Sequence, residues 1–264
     1  VESGQLIQWQ DDTVAPEDWG SDFTVHTSVQ TFYDTNRRKV KETTRGYNAG
    51  VPAAFISVIQ YSYDARGRLE CTAVRMNQAV FNNLPASACT LGAPGPNGHD
   101  RITKTVYDAA GQVLQVRMAV GTPLEKADVT YTYTQNGQIE QVIDANGNRA
   151  ELKYDDFDRQ TKWTFPSKAR VSGFDASALP MAAVTAAGAL STDDPDPNQH
   201  DFEEYTYDDN GNRLTLRKRD GSVIAYEYDA LNRMTKKVLP GAPVRPELNA
   251  FQRRDVYYGY DLRG

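Results

Sequence analysis

The chain has few residues that carry reactive chemistry. Its 264 residues include two cysteines and three histidines, too few for a cysteine-rich or histidine-rich metal scaffold. No apolar run approaches the ~20 residues that a membrane-spanning helix needs. Val1 to Gln10 have no basic start followed by an apolar stretch, so no signal peptide is expected there. Basic residues are outnumbered, 29 against 35, for a net charge of -6. That argues against nucleic acid, because phosphate binding needs a basic surface. Glycine (19) and proline (13) are ordinary, which excludes collagen-like and low-complexity classes. By length the chain is one large domain or two ordinary ones, and it can bury roughly 75% of its unfolded surface.

Tyrosine is what the chain does have: 15, against nine phenylalanines and three tryptophans. The tyrosines are placed periodically. One phrase recurs as Tyr33-Asp34, Tyr61-Ser62-Tyr63-Asp64, Tyr107-Asp108, Tyr154-Asp155, Tyr205-Thr206-Tyr207-Asp208, Tyr226-Glu227-Tyr228-Asp229 and Tyr258-Gly259-Tyr260-Asp261. A degenerate copy is Tyr131-Thr132-Tyr133-Thr134. Tyr133 to Tyr154 and Tyr207 to Tyr228 are each 21 residues apart. Such repetition is the first thing to settle, since it decides the fold. The residues after the aspartate are shared too, as in Ala65-Arg66-Gly67-Arg68-Leu69, Asp209-Asn210-Gly211-Asn212-Arg213-Leu214 and Ala230-Leu231-Asn232-Arg233-Met234.

Each part has a mechanical reason. Tyr-x-Tyr puts both rings on one face of a strand, because side chains alternate with period two. Asp accepts backbone N–H bonds from residues just ahead and starts a turn. Gly or Asn then tolerates the left-handed conformation of a three-to-five-residue hairpin loop. Each unit therefore reads as a β-hairpin, and turns such as Asn146-Gly147 and Asp220-Gly221 lead into the next strand. Isolated hairpins are marginal in water, so successive units must pair edge to edge.

On these motifs the chain resembles the YD-repeat, or RHS-repeat, proteins, with about eight copies over residues 33–261. The resemblance implies an all-β fold: an antiparallel β-hairpin repeat ribbon curling into part of a hollow shell. In that family the shell belongs to large secreted or surface proteins such as bacterial polymorphic toxins, insecticidal toxin complexes and animal adhesion receptors. Residues 1–264 are expected to be a single repeat array, open at both ends and a piece of a longer protein. The family's boundary at the end of the shell, with self-cleaving aspartates and a variable toxin domain, has no match here. Any enzymatic payload is therefore expected outside this chain.

Two stretches break the period, about 77–100 and about 166–201. The first, with Pro85, Gly92, Pro94, Gly95, Pro96 and Gly98, reads as a loop. In the second, alanine-rich Ala176 to Leu190 allows a short helix despite Pro180, ahead of the extended Asp193-Asp194-Pro195-Asp196-Pro197. A weaker break lies near Gly241 to Pro246. Surface decoration is the expected role of these insertions. Cys71, placed after the strand leading into the first insertion, and Cys89, inside it, either form a disulfide closing an 18-residue loop or stay as two buried thiols.

Few residues are candidates for a chemical site. His26, His99 and His200 lie in loops or irregular sequence with no zinc-like spacing. The runs at Asp144–Asn148 and Asp208–Asn212 begin like calcium loops, which need Gly at position six and Glu at twelve. They carry Arg149 and Asp155, or Arg213 and Arg219, at those places, so both read as hairpin turns. Asp64, Asp108, Asp155, Asp208, Asp229 and Asp261 recur at equivalent positions, which marks them as turn formers, since a catalytic pair is normally unique and convergent. No catalytic, cofactor-binding or metal residue is expected, and the chain is not expected to be an enzyme.

Two functions compete. The first is a structural wall segment of an RHS/YD-repeat shell around a polypeptide toxin cargo. The second is a cell-surface or glycan-binding adhesion module that uses the repeated tyrosines. The implied partners are the remainder of the shell, an enclosed toxin domain, and a secretion apparatus or cell-surface glycan, without nucleic acid or a membrane span. The implied location is secreted or at the cell surface.

Overall fold

A computed structural model describes residues 2–6, 23–48, 51–169, 171–240 and 255–261. The break expected near Gly241 to Pro246 lies outside these residues. The fold is all-β: sixteen strands, β1 to β16, follow one another in chain order in an open sheet, and the pairings within each unit below are antiparallel. No helix among the described residues is long and apolar enough to cross a membrane.

The chain divides into two compact units, Val1–Asp128 and Val129–Gly264. The first holds β1 (Glu2–Leu6), β2 (Phe23–Tyr33), β3 (Lys39–Asn48), β4 (Val51–Tyr63), β5 (Leu69–Arg75), β6 (Arg101–Tyr107) and β7 (Val113–Met118). The division falls inside β8 (Lys126–Tyr133). The second unit continues with β9 (Ile139–Asp144), β10 (Arg149–Tyr154), β11 (Gln160–Thr164), β12 (Phe202–Tyr207), β13 (Arg213–Arg217), β14 (Val223–Tyr228), β15 (Met234–Val238) and β16 (Val256–Tyr257).

In the first unit, the insertion after β5 is more than the loop its glycine and proline content suggests. Along β5, Cys71, Ala73 and Arg75 are buried while the residues between them are not, the period-two pattern of a strand covered on one side. The insertion supplies the cover. Ala88 joins Cys71, Ala73 and Ile102 in a buried apolar cluster, with Cys89, Leu91 and Val120 packed against it. Burying Ile102 alone stabilises by about 2 kcal/mol. The insertion contains one 3₁₀ turn, Gln78–Val80. It bonds to β4 through Gln60 Nε2, which donates to the Pro85 carbonyl, and Ser62 Oγ, which accepts the Ala88 N–H.

In the second unit, the insertion between β11 and β12 folds back on the sheet. The Ser191 N–H bonds the Phe165 carbonyl, and the Phe165 N–H bonds the Asp201 carbonyl, at 2.9 and 3.0 Å. A helix, α1, forms over Pro180–Ala186 and buries Ala183. Pro180 sits in its first turn, where a missing N–H removes no helical bond, so proline starts this helix. The Gly188 N–H reaches the Gly147 carbonyl at the β9–β10 turn. Gly147 has φ +81° and lies so close under Phe174 that a Cβ would collide with the ring.

In each unit the insertion covers the face opposite the Tyr-x-Tyr rings. Gln60 and Ser62 point to the first insertion, so Tyr61 and Tyr63 point away from it. Arg149 pairs with Asp193 of the second insertion. Registers put Leu152 opposite Trp163, and Trp163 opposite Glu203, on the other face with Tyr154, Tyr205 and Tyr207.

Candidate functional site

Among the described residues, nine hairpin turns share one geometry. The first turn residue donates its N–H to the carbonyl four residues on and accepts the N–H three residues on. The residue giving that N–H always has positive φ: Arg37, Gly67, Gly111, Gly137, Gly147, Asp158, Gly211, Gly221 and Asn232. This is a three-residue loop ending in a left-handed residue, whose twist suits an antiparallel pair. The aspartate carboxylate fills its inside. Asp64 Oδ1 accepts the N–H groups of Arg66 and Arg68, each at 2.9 Å. Asp34, Asp144, Asp155, Asp208 and Asp229 repeat that pattern. The turn-forming role expected of Asp64, Asp155, Asp208 and Asp229 is therefore what the geometry gives, and Asp108 bonds the Gln112 N–H likewise. The Asp144 and Asp208 runs are hairpin turns, and no metal-holding group of three or more acidic, histidine or cysteine residues occurs among the described residues.

Electrostatics follow the hydrogen bonds. The Arg68 N–H, ahead of an opposing desolvation and the Arg68 guanidinium, holds the Asp64 carboxyl below its ordinary range. The Arg233 N–H and guanidinium do the same for Asp229, and the Asn212 amide leads at Asp208. At Asp220 the Ser222 hydroxyl and N–H lower the carboxyl to about 2. Bonds to the charged form favour it.

The turns are coupled by a contact that the sequence pattern does not reveal. In six units the tyrosine just before the turn donates its hydroxyl to a backbone carbonyl just past the turn of the previous unit. Tyr63 bonds Lys39, Tyr107 bonds Leu69, Tyr154 bonds Ile139, Tyr207 bonds Gln160, Tyr228 bonds Arg213 and Tyr260 bonds Met234, at 2.8–3.0 Å. The acceptor is in each case the sixth residue after the previous unit's tyrosine, the residue that tyrosine faces across its own hairpin. A register shift sits at that tyrosine in every one of these hairpins. The bulge aims the carbonyl at the next ring.

Arginine strengthens four of these contacts. Arg38, Arg68, Arg159 and Arg233 each donate Nε–H to the aspartate of their own turn at 2.7–2.8 Å. Their guanidinium groups lie over the rings of Tyr63, Tyr107, Tyr207 and Tyr260 at 4.5, 4.3, 4.8 and 4.5 Å. Each stack contributes about 0.5–1 kcal/mol at such partly exposed sites. Arg68 and Arg159 also donate Nη1–H to the carbonyls of Asp108 and Asp208. The signal in the sequence is Arg four places after Asp in these copies.

The remaining sequence candidates fall into place separately. Cys71 and Cys89 form a disulfide with Cα atoms 5.2 Å apart. Cys71 lies within β5 and not after it, because the strand runs on to Arg75 before the insertion begins. The insertion is also held by a buried ion pair: Arg75 Nη1 meets Asp100 Oδ2 at 2.7 Å. Arg75 donates further to the Ser87 and Thr90 carbonyls and to Gln60. Asp100 accepts the N–H groups of Met76 and Gly92. His26 is on strand β2, where alternation with Thr and Val favours extended backbone, and not in a loop. His99 is exposed beside Asp100. His200 closes a 3₁₀ turn, its ring bonded to the Asp194 carbonyl.

Comparison with known proteins gives a sequence match to a repeat family. The RHS Repeat family profile matches residues 205–243, and no curated protein matches the sequence. Among solved structures, TcdB2-TccC3-TEV is 15% identical over 79% of this chain, with a TM-score of 0.38. TcdB2-TccC3 is 14% identical over 79%, at 0.37. A Photorhabdus luminescens Tc holotoxin pore is 15% identical over 79%, at 0.38. The chain spans 12–13% of the length of those chains. The matched segment begins at Tyr205 and holds the turns at Asp208 and Asp229, whose tyrosine-to-carbonyl contact and left-handed closing residue recur before and after it. Residues 205–243 thus carry an RHS repeat, and the turn and tyrosine contact of that segment recur along the chain.

Proposed function

We propose that this chain is a wall segment of a shell that encloses a polypeptide toxin cargo, in a protein that acts outside the producing cell. The observation that carries the reading is the hydroxyl ladder. Within each compact unit, neighbouring hairpins are bonded through the backbone ladder and again through the hydroxyls of Tyr63, Tyr107, Tyr154, Tyr207, Tyr228 and Tyr260. A wall excludes protease only if its strands do not open one at a time, and a second independent bond per hairpin opposes that opening. Nothing in this role asks for a catalytic group.

The adhesion reading asks the same tyrosines to face a partner. Tyr63, Tyr107, Tyr154, Tyr207, Tyr228 and Tyr260 instead commit their hydroxyls to carbonyls within the sheet. That commits the one proton each hydroxyl could donate to a partner.

The test is protease protection in the natural protein that contains this chain. The wall reading expects the enclosed polypeptide to survive protease until denaturant opens the sheet. Digestion of that polypeptide at the rate of an unfolded control, with the sheet still folded, would overturn it.

A further inference from the structure

The arginine clamps are not spread evenly along the chain. Tyr63 follows Tyr33 by 30 residues, Tyr107 follows Tyr63 by 44, Tyr207 follows Tyr154 by 53 and Tyr260 follows Tyr228 by 32. The turns that open these four spacings carry Arg38, Arg68, Arg159 and Arg233. The 30-residue spacing is taken up by long strands, since β3 and β4 pair out to Asn48 opposite Val51, so the long returns are those that follow Arg68, Arg159 and Arg233. The shorter spacings are 26 from Tyr107 to Tyr133, and 21 each from Tyr133 to Tyr154 and from Tyr207 to Tyr228. Their turns carry Gln112, Gln138 and Asn212 in the same place. Asn212 stays at the turn level, donating to Asp208 and to Asn232.

We infer that Arg68, Arg159 and Arg233, each four places after its turn aspartate, set register where the chain takes a long path back to the sheet. Closing a 53-residue path is about fourfold less probable than closing a 21-residue one. A returning strand has a second problem: a slip of one residue would turn its tyrosine to the wrong face. The clamp acts on both. It is built on the turn already formed, since Arg159 Nε is fixed by Asp155. It offers the returning strand two marks one residue apart: a cation under the Tyr207 ring, and an Nη1–H for the Asp208 carbonyl at 2.8 Å. Arg68 repeats both for Tyr107 and Asp108 across the first insertion. At the two 21-residue spacings the intervening turn itself supplies register, and Gln138 or Asn212 suffices. This register role is the same whatever the wall encloses.

A cycle of variants in the full chain tests this, read by hydrogen exchange of the β12 amides. Arg159→Gln is made in the natural chain and in one where residues 167–200 are replaced by a short Asp-Gly turn. The expected result is exchange about five- to tenfold faster with the insertion present and less than twofold faster without it. Equal acceleration in both would overturn the inference. Because the insertion covers part of the sheet, a second pair leaves it intact. The Asp220-Gly221 turn is lengthened with an about 30-residue Gly/Ser linker, and Asn212→Arg is added with and without it. Protection of β14 is expected to rise several-fold with the linker and to change less than twofold without it. An equal effect in both again contradicts a register role, leaving the arginine as one more surface contact.

Discussion

The hydroxyl of Tyr107 bonds the carbonyl of Leu69 at 2.9 Å, 38 residues back along the chain. Between them lies a disulfide-pinned insertion, yet the two residues meet as Tyr228 meets Arg213 across 15 residues. Contact of the same kind across such different separations makes this bond a property of the unit and not of the local loop.

Removing that donor has a defined cost. Tyr107→Phe keeps the ring under Arg68 and loses only the hydroxyl, and should lower stability by about 1 kcal/mol. Tyr107→Ala also forfeits the stack and should cost more. Denaturant titration of the two variants against the parent chain gives both values.

Backbone strain is separable from packing at two turns. Gly211 has φ +85° with nothing near the position of a Cβ, so Gly211→Ala should destabilise by roughly 1 kcal/mol through the left-handed conformation alone. Arg37 is an exposed non-glycine residue at φ 61°, and Arg37→Gly should stabilise by a similar amount. Opposite shifts in melting temperature are the expected readout.

These turns are legible from composition, because Asp followed by Gly or Asn between alternating strands has few other solutions. The hydroxyl acceptors are not. Which carbonyl faces Tyr207 depends on the bulge that shifts Tyr154 against Gln160, and a bulge leaves no mark in a period-two pattern. The first insertion is better packed than its composition implies for a related reason. Its glycines and prolines mark the backbone as irregular, while Ala88 and Cys89, which do the packing, carry no signal in the periodicity. The disulfide is open to two readings in the sequence because sequence does not state whether two Cα atoms approach.

The Arg75–Asp100 pair should make the first insertion acid-labile. Burial raises the Asp100 carboxyl, but the Met76 N–H, Arg75 and the Gly92 N–H outweigh it, so the group titrates below its ordinary 3.8. A lowered folded-state value means the stabilisation is complete above the ordinary value and lost as pH falls through the lowered one. The insertion should hold from neutral pH down to about 4 and loosen below it. Asp100→Asn leaves Arg75, 1% exposed in its side chain, without its counter-charge, and should cost roughly 3–5 kcal/mol at neutral pH, a difference that shrinks as acid protonates Asp100 in the parent chain. Proteolysis within residues 77–100 across a pH series checks both.

The disulfide adds a separate restraint to the same insertion. Replacing Cys71 and Cys89 together by alanine frees an 18-residue separation and should lower stability by about 3 kcal/mol. The loss should concentrate in β4 to β6 and spare β12 to β15. Local exchange rates in the two regions distinguish that from a uniform loss.

Hydrogen exchange across β12 to β15, Phe202 to Val238, tests the wall most directly. If hairpins are locked to their neighbours, the amides of β12–β13 and β14–β15 should open together with one common free energy. Tyr228→Phe should weaken that coupling. Independent opening of the two hairpins in the parent chain, with distinct free energies and no response to Tyr228→Phe, would contradict the account.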